Sequence, residues 1–181
     1  MSPVGHSIVG LAFAVVAMPR DVGRKWLVTL PVAFISLASL PDWPMPSWGH
    51  DRYDISHSMF VNISLVSMVI LLWCVVPSFR SAVRARCLCL GAGAWLSHLL
   101  LDSFYNHGRG VPIYWPYSDA RLNFAMPWFN TIDLSQSIAS SHNLSVYFVE
   151  FVAYLPVLIM AVGFRKLITR QPVVSPHENA E

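Results

Sequence analysis

Charged residues are scarce in this sequence. Asp, Glu, Lys and Arg make up 12% of its 181 residues, whereas soluble domains contain about 25%. Hydrophobic residues make up 55%, and the mean hydropathy is +0.50. This composition excludes an ordinary water-soluble domain and indicates a membrane protein, with the lipid bilayer as its partner. A net charge of +2 without a basic stripe also argues against nucleic acid as a partner.

Cysteine is scarce as well. Cys74, Cys87 and Cys89 lie in or beside apolar runs and lack Cys-x-x-Cys spacing. Neither a disulfide framework nor a thiolate zinc site is therefore expected. Basic residues are missing before the first apolar run and follow it instead, so we expect this segment to be retained rather than cleaved as a signal peptide.

Five apolar runs predict an all-α fold, a multi-pass integral membrane helical bundle of about five helices. The third run is the clearest spanning candidate at about 20 residues, whereas the first, second and fourth are short and could be tilted or re-entrant. Glu150 and Pro156 interrupt the fifth. The runs are Ile8–Met18, Trp26–Leu40, His57–Val76, Cys87–Leu101 and Leu144–Phe164.

The remaining segments complete the predicted organisation. Residues 103–142 mix prolines with aromatic rings, which is typical of a loop at the membrane–water interface. Residues 1–170 are expected to form a single membrane-embedded domain. Residues 171–181, with two prolines and two glutamates, are expected to form a disordered C-terminal tail.

The distribution of basic residues predicts the orientation. Nine of the twelve Lys and Arg residues fall in the first connection, the third connection or the C-terminal tail. With five spans these segments share one side of the membrane, which is the cytoplasmic side by the positive-inside rule. The N-terminus is then outside and the C-terminus cytoplasmic.

His98 and Asp102 form the most informative pair. They lie four residues apart in an apolar helical stretch, which places them on one helix face. Ionisable groups inside such a segment are costly and usually functional, and this spacing can hold a metal ion.

Further histidines and carboxylates fall at the same predicted membrane face as this pair. Six of the seven histidines lie there, the exception being His177. Several ligands at a water-accessible mouth are what a catalytic zinc site requires. The residues predicted to share this face are His6, Asp42, His50, His57, His98, Asp102, His107 and His142.

Each of these residues also has an ordinary structural interpretation. A lone histidine such as His6 or His107 is often a solvated residue at a helix end. Asp42 could be part of a turn, and Asp102 could pair with Arg109. Glu150 could support a histidine or tie two helices together.

An ordered series of motifs resembles the YdjM-like, LexA-binding inner-membrane family of metal-dependent hydrolases. The series covers about the first 120 residues and comprises Gly5-His6, Leu40-Pro41-Asp42, Ser56-His57-Ser58, His98-x3-Asp102 and Trp115-Pro116-Tyr117-Ser118. The resemblance implies a multi-pass bacterial membrane protein with a metal centre and hydrolase activity.

The sequence departs from the family pattern at two places. Pro44 stands where the family often has a second Asp. Arg52 stands where a His-Arg-Gly stretch is usual, while His50 lies seven residues before His57.

The leading hypothesis is a metal-dependent hydrolase of the bacterial inner membrane, with its site at the outer face. His57, His98 and Asp102 would bind a divalent cation, zinc before manganese or iron. His6 and Asp42 would complete that site or help to hold a second ion.

The remaining roles concern proton transfer and substrate binding. Asp42, Asp54 or His50 could accept the proton of the metal-bound water. Arg52 or Arg109, with His107 nearby, could bind an anionic group. The location favours an ester or phosphoester substrate, such as a lipid or a lipid-linked compound.

Two alternatives remain open at this point. The same residues could relay protons or bind a cation in an ion-conducting or small-solute transport protein, although such groups would then be expected at mid-membrane depth. A non-catalytic membrane adaptor would use them only to tie helices together and would hold no metal.

Overall fold

The computed structural model describes residues 3–20, 23–49, 52–105, 110–124 and 126–169. Within these ranges the chain forms seven α-helices and no strand, which confirms the all-α prediction; Val111 and Leu122 form an isolated antiparallel bridge. The helices are α1 (Pro3–Ala17), α2 (Trp26–Ser39), α3 (Tyr53–Ser56), α4 (Met59–Val75), α5 (Pro77–Ala82), α6 (Ala85–Asp102) and α7 (Ser141–Thr169). A single 3-10 turn, Leu40–Asp42, follows α2.

Helix lengths differ from the predicted runs in one important respect. The third run becomes α4, which has 17 residues and is about 26 Å long, short of a hydrocarbon core of about 30 Å. The fifth run becomes α7, a continuous helix of 29 residues that passes through both Glu150 and Pro156. Among the described residues α7 is the helix long and apolar enough to cross a membrane. Pro156 lies inside α7 and removes one backbone donor, but it does not end the helix.

Helix α1 lies at the centre of the bundle and packs against α7, α2 and α6. Small residues on its buried face allow this packing. A Cβ atom on Gly10 would lie 2.8 Å from Cα of Ile35 and 2.8 Å from the carbonyl oxygen of Phe34. Glycine at this position therefore lets the backbones of α1 and α2 approach closely.

Helices α4 and α7 expose much of their apolar surface. Only Asn62 and Val66 of α4 are buried. Large exposed apolar patches on a soluble monomer usually mark an interaction surface, so these faces require an apolar environment or a partner. The most exposed large side chains on the two helices are Met68, Leu71, Val75, Leu144, Phe148, Val152, Ile159, Met160, Phe164 and Leu167.

The aromatic-rich connection between α6 and α7 packs onto the end of the bundle where α4 begins. Ser58 is the N-cap of α4, and its Oγ accepts a hydrogen bond from the Val61 amide and donates to the carbonyl of Trp115. The Met59 amide donates to the carbonyl of Ile113 at 3.0 Å. Val111 and Ile113 are buried, so this part of the connection packs against the helix ends and covers them.

Candidate metal centre

Five ionisable side chains meet at one end of the bundle. His6 lies near the start of α1, and Asp42 ends the 3-10 turn after α2. His57 follows α3 directly, while His98 and Asp102 lie in the last turns of α6. Residues separated by as many as 96 positions therefore share one site, because the helix ends that carry them are adjacent.

The Nε2 atoms of the three imidazoles and the oxygens of the two carboxylates face one another. His57 Nε2 lies 3.3 Å from Asp42 Oδ1 and 3.3 Å from Asp102 Oδ2. His98 Nε2 lies 3.7 Å and 3.5 Å from the same two oxygens. His6 Nε2 lies 3.3 Å from Asp102 Oδ1 and 3.9 Å from Asp42 Oδ2.

The hydrogen bond at the other nitrogen of His98 fixes its tautomer. Nδ1 lies 2.8 Å from the carbonyl oxygen of Ala38. A carbonyl oxygen only accepts, so Nδ1 carries the proton and donates it. In the neutral ring Nε2 then presents a lone pair to the cluster, as a metal ligand must.

His57 is oriented in the same way through Ser56. The Ser56 hydroxyl donates to the carbonyl of Gly49 at 3.0 Å, so its oxygen accepts from His57 Nδ1 at 2.8 Å. The Nε2 lone pair of His57 therefore also points into the cluster. It lies 3.2 Å from Nε2 of His98, and two bare nitrogens this close require a proton or a cation between them.

His6 is stacked on His98, with ring centroids 3.8 Å apart and an interplanar angle of 10°. The side chain is 1% exposed. Its Nδ1 and Nε2 have no hydrogen-bond partner in the described part of the chain. A buried imidazole without hydrogen bonds is costly, and a metal ion would compensate at Nε2.

The donor set fits a divalent cation. A tetrahedral site with bonds of about 2.0–2.1 Å has ligand atoms about 3.3–3.4 Å apart, and the seven close separations given above lie between 3.2 Å and 3.9 Å. The two carboxylates also bring negative charge that protonated imidazoles or a metal ion must balance. Ligand atoms of His6, Asp42, His98 and Asp102 all lie within 4.8 Å of one another, so the cluster could hold a metal ion.

The cluster is open on the side of Asp42. The Asp42 side chain is 24% exposed, whereas those of His57 and Asp102 are 0% and 4% exposed. Water or another small ligand could therefore reach the cluster past Asp42.

Comparison with known proteins gives a family match that covers almost the whole chain. The model of the YdjM inner membrane protein family matches residues 1–168. The chain belongs to this family. No curated protein and no solved structure matches it. The family match confirms the resemblance seen in the sequence, and its description refers to a membrane and not to a reaction.

Asn62 of this YdjM family member holds the backbone on both sides of His57. This residue was not identified from the sequence. Asn62 of α4 is fully buried, and its Nδ2 donates to the carbonyls of Ser56 and Ser58 at 2.7 Å each. Its Oδ1 accepts from Trp95 Nε1 at 2.7 Å. Asn62 thus fixes the segment that carries His57 to α6, which carries His98.

The ring of Tyr53 covers His57, with centroids 3.8 Å apart. Burial raises the pKa of the Tyr53 hydroxyl above its usual value, and the nearby carboxylates of Asp102 and Asp42 act in the same direction. The hydroxyl therefore remains a neutral group at physiological pH.

Glu150 makes a hydrogen bond between two helices, one of the two roles that the sequence allowed for it. Its Oε2 accepts a 2.8 Å hydrogen bond from the backbone amide of Gly5, and the side chain is 0% exposed. It therefore ties α7 to the first turn of α1, next to His6.

The other predicted site residues lie outside the cluster or outside the described ranges. Arg52 is exposed before α3. Asp54 forms a 2.8 Å ion pair with Arg121 at the surface, so it is not in the cluster. His50, His107, Arg109 and the predicted tail 171–181 fall outside the described residues.

Proposed function

We propose that the chain is a multi-pass membrane protein with a metal-dependent hydrolase site at its outer face. The inner membrane family and the exposed apolar faces of α4 and α7 support the membrane assignment. Helices α1, α2, α4 and α6 would be the shorter spans, of about 21–27 Å, accommodated by local thinning of the bilayer.

The orientation follows from the two ends of the bundle. The His/Asp cluster lies at the end where α1 begins, whereas Arg20, Arg84, Arg86 and Arg165 lie together at the opposite end. By the positive-inside rule the arginine end is cytoplasmic. The C-terminus is then cytoplasmic, and the N-terminus and the cluster are outside.

His6, His57, His98 and Asp102, with Asp42, would hold a divalent cation, and nitrogen and oxygen donors without thiolate favour zinc. When bound, such an ion lowers the pKa of its water to near 7 and supplies hydroxide at neutral pH. Ala38 and Ser56 keep the two imidazole lone pairs directed at the ion.

Asp42 has the best position among the five to act on an incoming molecule. Its carboxylate is the exposed edge of the cluster, so it would accept a proton from water there or orient the substrate. His50 remains a proposed proton acceptor, and Arg52, Arg109 and His107 remain proposed contacts for an anionic group. A site at the membrane surface favours an ester or phosphoester of a lipid.

The observation that carries the proposal is the pair of Nε2 atoms, 3.2 Å apart, whose lone pairs are directed at each other and at two carboxylates. A cluster serving only to tie helices together would place donors opposite these acceptors.

Metal analysis of detergent-purified protein tests this proposal. We expect about one divalent ion per wild-type chain and a loss of more than about tenfold in affinity for His57→Ala and His98→Ala, since even outer-sphere changes cost about 10–100-fold. His142→Ala is the control, because His142 bonds the Thr131 carbonyl away from the cluster. A metal content that is substoichiometric and does not change with these substitutions would favour the alternative of a non-catalytic membrane adaptor.

Hydrolysis is tested separately on the metal-loaded protein. Cleavage of ester and phosphoester probes, including a fluorogenic phospholipid, should be lost with a chelator, restored by zinc and absent from His98→Ala. If the protein held stoichiometric metal but cleaved none of the probes, the proposed metal centre would stand and the proposed hydrolase activity would be contradicted.

A further inference from the structure

A cavity lies at the end of the bundle opposite the His/Asp cluster. It has a volume of about 430 Å³ and is lined by the C-terminal ends of α1 and α7 and the N-terminal end of α6. Four of its lining residues are arginines: Arg20, Arg84, Arg86 and Arg165. Arg84, directly before α6, is 14 positions from His98, about 21 Å along the helix axis, so the cavity is separate from the metal centre.

Three of the arginines have a structural role at helix ends. Arg86 donates to the Val16 carbonyl at 2.7 Å, and Arg165 donates to the Pro19 carbonyl at 3.0 Å. Arg20 donates to the Ile168 carbonyl at 3.0 Å. These bonds satisfy carbonyls at the C-terminal ends of α1 and α7, where positive charge is favourable.

Among the described residues, those bonds do not neutralise the positive charge of the arginines. Each guanidinium has five N–H donors, and a carbonyl does not neutralise a full charge. In the described part of the chain an arginine–carboxylate pair occurs at Arg121 and Asp54, not at this cavity. The backbone carbonyl of Arg84, directly before α6, accepts from the Leu88 amide at 3.1 Å. Its side chain has no hydrogen bond or ion pair among the described residues, and the start of α6 has no side-chain cap.

We propose that this cavity binds a phosphate group. Planar guanidinium groups bind phosphate oxygens in bidentate geometry, and the uncapped N-terminus of α6 offers further N–H donors to an anion. The volume suffices for a phospholipid headgroup, and basic pockets between helices on the cytoplasmic side bind such headgroups. The phosphate could belong to an anionic phospholipid or to a free phosphate compound.

Arg84 is the residue to change, because it is exposed and makes no contact that the fold requires. Arg84→Gln and the double variant R84Q/R86Q remove one and two charges. Arg80→Gln is the matched control: it removes the same charge from the neighbouring α5, where Arg80 lies over the Trp73 ring at 5.6 Å and does not line the cavity. Metal content should be unchanged in all three variants, which separates this proposal from the hydrolase.

Two binding measurements distinguish the sources. In the first, full-length protein is purified in nanodiscs of mixed phosphatidylglycerol and phosphatidylcholine, and retained lipid is measured by native mass spectrometry. In the second, protein in phosphatidylcholine nanodiscs is titrated with inorganic phosphate and pyrophosphate.

Retention of phosphatidylglycerol that falls about fivefold in R84Q and about 25-fold in the double variant supports a lipid ligand, at about fivefold per arginine. Saturable binding of inorganic phosphate or pyrophosphate that weakens in the same order supports a free phosphate compound. Absence of both kinds of binding would overturn the proposal. An equal loss in R80Q would show diffuse surface attraction and would also overturn it.

Discussion

Asn62→Leu should weaken metal binding although Asn62 does not face the cluster. Leucine has a similar volume but removes the amide that joins the Ser56–Ser58 segment to Trp95. The Ser58 carbonyl still accepts a hydrogen bond from the backbone amide of residue 62, at 3.1 Å. The Ser56 carbonyl and Trp95 Nε1 lose their bonds to this side chain.

The magnitude follows from the two groups left unpaired. Each buried, unpaired polar group costs about 1–3 kcal/mol, so the free energy of unfolding should fall by about 2–6 kcal/mol. Because the peptide of Ser56 also precedes His57, the imidazole loses its fixed position. Displacing an outer-sphere partner of this kind costs about 10–100-fold in metal affinity.

Trp95→Phe is the matched variant. It removes the same Asn62–Trp95 hydrogen bond but leaves both bonds to the Ser56–Ser58 segment, so we expect a loss of stability of about 1–3 kcal/mol and metal affinity close to that of wild type. Zinc affinity by chelator competition, below the unfolding temperature of each variant, is the measurement. Equal losses of affinity in the two variants would refute the role assigned to the Ser56–Ser58 contacts.

Two further substitutions test how the neighbouring segments are held. Gly49→Ala should lower the unfolding temperature in detergent and weaken zinc binding, because Gly49 has φ +57° and a Cβ atom would lie 2.3 Å from the Trp43 carbonyl oxygen; unchanged zinc affinity would show that the Ser56–Gly49 bond does not orient His57. Glu150→Leu should cost about 2–3 kcal/mol by leaving the Gly5 amide without its charged acceptor, whereas Glu150→Gln keeps an acceptor and should cost less. Thermal unfolding measures the stability of the two Glu150 variants. Equal stability of the two would contradict this reasoning.

The sequence allowed part of this site to be predicted because some of its information is local. The i, i+4 spacing placed His98 and Asp102 on one helix face, and the structure has His98 Nε2 and Asp102 Oδ2 3.5 Å apart. His6, Asp42 and His57 could be assigned to the same site from the order of the apolar runs alone. Successive helices cross in opposite directions, so the start of one helix lies on the same side as the end of the next. The roles of these residues as ligands stay predictions.

The supporting residues could not be predicted in this way. Asn62 is a single polar residue in an apolar run, and periodicity does not indicate whether such a side chain bonds its own helix end or a neighbouring helix. It does both, because Ser56 and Ser58 lie within reach of its amide and α6 brings Trp95 to the other side.

The histidine tautomers connect the fold to the chemistry most directly. Ala38 lies four residues before Asp42, at the end of α2, and its carbonyl sets the proton of His98. The same end of α2 thus supplies both a carboxylate to the cluster and the hydrogen bond that directs an imidazole lone pair toward it. A cluster that served only packing would not require this directed lone pair, because its nitrogens could donate to the carboxylates instead. The bond from His98 Nδ1 to the backbone at Ala38 therefore leaves Nε2 to hold either a metal ion or a proton that it donates to Asp102, and metal analysis distinguishes the two.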